Sequence, residues 1–104
     1  MEISPHVQRL AAEIRALCSP EKIYLYHAKF DLNQQVTSFK ICVVAETGDK
    51  AALERRIYLE LDCDIPYDLS LYTPEEWEAC MQNPHSFAGT IREKGVLLYD
   101  QAET

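Results

Sequence analysis

The sequence predicts an α/β (α+β) domain, a small mixed β-sheet of about four strands covered by helices. Three observations carry that expectation. Apolar residues recur at helical spacing through the opening segment. Short β-rich runs follow, "IYLYHA", "VTSFKICVVA", "IPYDLSLY" and "VLLYD". Helix caps and Pro or Gly punctuation separate these runs and give the order α-β-β-α-β-α-α-β. At 104 residues, 47% of them hydrophobic, the chain has the length of one domain spanning 1–104 and enough apolar side chains for a core.

Each element has its own justification. Ile3, Val7, Leu10, Ala11, Ile14, Leu17 and Cys18 fall on one face of a helix. Ser4 and Pro5 suit its cap and first turn. Pro20 ends it, because the residue before a proline avoids the helical region. A strand is expected over Ile23–Ala28, then a polar loop over Phe30–Gln35 that contains no glycine. The run Val36–Ala45 is almost continuously apolar after Ser38, the pattern of a buried central strand. Past Gly48 and Asp49, the segment Ala51–Leu61 reads as a helix with Glu54, Arg55, Arg56 and Glu60 on its wet side. Ile65–Tyr72 is the third strand.

Thr73-Pro74-Glu75-Glu76 has the composition of a capping box, with proline at the first helical position. The helix it opens carries Trp77, which is expected in the core together with Phe87. Asn83-Pro84 resets the chain into a helix over Ser86–Lys94, closed by Gly95 as a left-handed cap. Val96–Asp100 is the last strand.

The formal net charge of −7 opposes a nucleic-acid binder, which needs Lys and Arg to neutralise phosphates. No apolar run reaches bilayer length, and "MEISPHVQRL" lacks a signal pattern, so a cytoplasmic protein is expected. Cys18, Cys42, Cys63 and Cys80 have neither CxxC nor paired-His spacing, which predicts reduced thiols and no metal ligands.

The segment from Asp68 to Asp100, "DLSLYTPEEWEACMQNPHSFAGTIREKGVLLYD", begins with an aspartate on a strand that runs into Tyr-Thr-Pro-Glu-Glu-aromatic. An Asn-Pro-x-Ser-Phe turn, a short helix, a glycine and an apolar strand follow. Together with the layout of the N-terminal half, this resembles the minimal (MNT-type) nucleotidyltransferase-like domains of the DNA polymerase β-like fold. The resemblance implies a Gly-Ser turn after the first strand, an Asp-x-Asp on the second and a third acidic residue on a later strand. A glycine lets backbone N–H groups approach a triphosphate. Carboxylates at i and i+2 on a strand share a face and hold a pair of Mg²⁺ ions that clamp the reacting oxygens.

This sequence departs from the pattern at those positions. His27 and Ala28 stand at the Gly-Ser turn, while Ser38 matches the serine that precedes the first aspartate. Phe39 and Ile41 occupy the Asp-x-Asp, and a one-residue slide puts Lys40 and Cys42 there instead. No Asp or Glu occurs between Leu32 and Ala45. Asp68 alone remains, as a relic of the catalytic set, and is expected to pair with Lys40 in the old pocket.

The expected function is therefore a catalytically inactive domain acting as a protein-interaction, antitoxin-like module with no cofactor. The resemblance implies an all-helical HEPN-type partner, and self-association is a related expectation. The alternative is an Mg²⁺- and NTP-dependent enzyme with a rearranged site, in which Asp31 folds in beside Asp68. A further alternative is a nucleotide-binding domain without turnover, in which Lys29 and Lys40 contact phosphates near His27.

Overall fold

The computed structural model describes residues 3–103. Met1, Glu2 and Thr104, which complete the expected 1–104 domain, lie outside them. Helix α1 (Pro5–Cys18) starts where Ser4 accepts the His6 N–H, and it ends at Ser19, whose φ of 47° is left-handed. Strand β1 (Lys22–Phe30) is longer than expected at both ends. It turns through residues 31–35 into β2 (Val36–Val44). Helix α2 (Lys50–Glu60) is capped by the Asp49 carboxylate, which accepts the Ala52 N–H.

Strand β3 (Tyr67–Tyr72) begins two residues after the expected Ile65. Pro66 has no N–H to give to a ladder, which explains the late start. Helix α3 (Pro74–Met81) carries the capping box in full, with Thr73 and Glu76 bonding each other's backbone N–H. Helix α4 (Phe87–Lys94), capped by Ser86, leads through Gly95 into β4 (Val96–Asp100), and a short 3₁₀ turn (Gln101–Glu103) follows. The order of helices and strands is the one the sequence predicts.

The four strands form one mixed sheet in the order β3-β2-β1-β4. β1 runs antiparallel to β2 and β4, whereas β2 and β3 are parallel and joined by the α2 crossover. Side chains alternate between two buried layers. Ile23, Leu25, Phe39, Ile41 and Val43 pack with Val7, Leu10 and Ile14 of α1 and Leu53 and Ile57 of α2. Tyr24, Cys42 and Val44 pack on the opposite face with Trp77 of α3 and with Ala88 and Ile91 of α4. β2 is thus covered on both sides from Ile41 to Val44, which accounts for its unbroken apolar run. No helix among the described residues is long and apolar enough to cross a membrane.

Two local expectations are corrected. Gly95 is not a left-handed cap: its φ of −79° and ψ of 171° are extended. A Cβ there would sit 2.5 Å from the Ile91 carbonyl oxygen, which accepts the Gly95 N–H at 2.7 Å. Close approach therefore requires the glycine, and handedness does not. Phe87 is 57% exposed, so only Trp77 of that pair enters the core. Phe87 instead meets the edge of Tyr26, with ring centroids 5.6 Å apart.

Candidate functional site

Helices α3 and α4 cover only part of their face of the sheet. Towards the β1–β2 hairpin the same face lies open, and a depression there of about 140 Å³ is lined by His27, Lys29, Ser38, Lys40 and Asp68, with Phe39, Pro66 and Tyr67. All four residues singled out from the sequence, His27, Lys29, Lys40 and Asp68, meet in this one place. Lys40 is the centre, opposite His27 on β1 and opposite Asp68 on β3.

A shift in register makes this grouping. Leu25 pairs with Ile41, but the next pair is His27 with Lys40, so Tyr26 is an extra residue in β1, a β-bulge. Before the bulge the odd-numbered residues Ile23 and Leu25 enter the α1/α2 core. After it the parity inverts: Ala28 packs on that core, and His27 and Lys29 stand exposed on the open face. The Tyr26 side chain bridges from β1 to β3, its hydroxyl 3.0 Å from Ser70 Oγ.

The same alternation places the two positions that the resemblance sets at the Asp-x-Asp. Phe39 and Ile41 point into the α1/α2 core, 2% and 0% exposed, and Phe39 stacks on Tyr67 at 5.6 Å. The open face takes the neighbouring register, Ser38 and Lys40. Tyr67 adds no negative charge, because burial pushes its phenol up to about 12.

Lys40 and Asp68 do not pair. Among the described residues neither side chain takes part in an ion pair or hydrogen bond, and the same holds for His27 and Lys29. Lys40 and Asp68 are both exposed to water, where a pair of this kind contributes little. Lys22 and Lys50 behave differently, holding Asp100 at 3.3 Å and Glu76 at 3.0 Å. Asp31 does not fold in beside Asp68. Its carboxylate is occupied in the hairpin turn, accepting the N–H groups of Asn33 at 2.8 Å and Gln35 at 3.0 Å.

Mg²⁺ suits this donor set poorly. A hard divalent cation needs several oxygen ligands, and here one carboxylate stands among two ammonium groups and an imidazole. No group of three or more His, Cys, Asp or Glu among the described residues is placed to hold a metal ion.

No protein-family model, curated protein or solved structure matches this chain.

The chemistry of the site therefore has to be read from its own residues. The feature missed at the level of sequence is the bulge with its Tyr26–Ser70 bridge. Its signal lies in β1 itself, where apolar residues fall at 23 and 25 and then at 28 and 30.

Proposed function

We propose that the chain is a nucleotidyltransferase-like domain with a degenerate active face, which works by binding another protein. The observation that supports this reading is Lys40, a cation on the central strand of the open face where a metal-binding carboxylate would be needed. A lysine there repels divalent ions, and Asp68 alone cannot bridge two of them.

The surface suits a protein-binding role. Phe30 and Leu32 at the hairpin tip are 49% and 99% exposed. Neighbouring large apolar side chains left in water are a mark of an interaction surface. The resemblance supplies the partner class, an all-helical HEPN-type protein in the cytoplasm, with this domain in the antitoxin-like role and no cofactor.

The test combines two readouts on the co-expressed pair. The reading expects a stable complex in size-exclusion chromatography with light scattering. It also expects no Mg²⁺-dependent transfer of label from radioactive ATP, CTP, GTP or UTP to either protein. Mg²⁺-dependent labelling overturns it, and a chain that elutes alone or only as its own dimer overturns the choice of partner.

A further inference from the structure

The open face holds more than the single carboxylate of Asp68. Among the described residues the Lys29 and Lys40 side chains have no ion-pair or hydrogen-bond partner, and they stand beside His27 in a chain of net charge −7. Like charges held close together are unfavourable, and a regular β1 would avoid the grouping, since its odd-numbered residues would continue into the core. The bulge at Tyr26 is what turns His27 and Lys29 outward, next to Lys40. Bulges often serve to re-aim side chains in this way. Tyr26 is itself fixed by Ser70 and Phe87, so the altered register is anchored on two sides.

The resulting donor set has a definite chemistry. Two ammonium groups, a ring N–H and the Ser38 hydroxyl face one small depression, opposed by the single carboxylate of Asp68. Such donors match the oxygens of a compact, multiply charged oxyanion.

We propose that this face binds a phosphoryl oxyanion directly, without a metal ion, through Lys29, Lys40, His27 and Ser38. Asp68 opposes the ligand and sets a limit on its affinity. The inference goes beyond the protein-binding role and does not depend on it.

Calorimetry in EDTA-treated buffer tests it with pyrophosphate, inorganic phosphate, ADP and adenosine. Pyrophosphate and ADP bind, and adenosine does not. Each lysine contributes about fivefold if its charge lies near 4 Å from the ligand in water, so the Lys29→Ala/Lys40→Ala variant loses about thirtyfold. Asp68→Asn tightens binding by about fivefold for the same reason. Arg55→Ala, an exposed arginine on α2, leaves it unchanged.

All these side chains are exposed, and thermal melts like those of the parent chain confirm that the variants fold. Equal affinity for pyrophosphate and ADP means that the phosphoryl group is recognised free, and tighter ADP binding means that it arrives on an organic carrier. Either result sustains the proposal. It is overturned if pyrophosphate does not bind, if the double variant loses no more than Arg55→Ala, or if Asp68→Asn weakens binding.

Discussion

Placing an aspartate at the position that the resemblance sets at the first carboxylate, Phe39→Asp, is expected to unfold the protein. Phe39 is 2% exposed and stacked on Tyr67, with α1 and α2 beyond it. Emptying a buried phenylalanine site costs about 3–5 kcal/mol. Keeping the new acid neutral at pH 7, against an ordinary pKa near 3.9, costs about another 4 kcal/mol. A domain of this size has about 5–15 kcal/mol of stability in all. Lys40→Asp, one residue along and exposed, is expected to change stability by less than about 0.5 kcal/mol.

Urea denaturation followed by circular dichroism measures both variants. The pH dependence gives a second check. The folded state raises the pKa of the introduced carboxyl, so the penalty grows as pH rises above the unfolded value and shrinks towards it. Lowering the pH from 7 to about 4 therefore recovers most of about 4 kcal/mol in Phe39→Asp relative to the parent chain. If Phe39→Asp melts like the parent, or Lys40→Asp unfolds, then β2 presents the opposite face and the account of the site is wrong.

Other outcomes follow from local geometry. Gly95→Ala forces a methyl group against the Ile91 carbonyl and should lower stability by about 1–3 kcal/mol in the same denaturation assay. Gln34 holds a left-handed φ of 65° in the hairpin turn, a conformation that costs an L-residue about 1–2 kcal/mol. Gln34→Gly should accordingly raise the melting temperature. The Cys42 thiol, pushed up to about 12 by burial, should resist a thiol reagent at a pH of about 8 until the chain unfolds. Prompt modification of Cys42 in the folded protein would show that its strand is not buried.

Much of the fold is legible in the sequence because its signals are local. The Thr73–Glu76 box, the Ser86 cap and the apolar run after Ser38 each specify a structure within a few residues. The site is legible in membership but not in arrangement. His27, Lys29, Lys40 and Asp68 are the residues that meet, yet their grouping depends on a bulge that follows from pairing between strands. The Lys40–Asp68 pair, expected from a cation on the strand adjacent to the one acidic residue, does not form, since water competes for both on an open face. Gly95 shows the same limit. Its identity suggests a cap, but its reason lies in the approach of a carbonyl that only the packed chain brings near.

The central claim is that the open face holds phosphoryl oxygens through its cations and not through a metal ion, and magnesium tests it most directly. The measurement is a calorimetric titration of ATP into the protein in EDTA, repeated with Mg²⁺ in excess. Mg²⁺ cancels part of the charge on ATP and is itself repelled by Lys29 and Lys40. The account predicts weaker binding when it is present. Binding that tightens with Mg²⁺ would contradict the account and point to a metal-dependent nucleotide site.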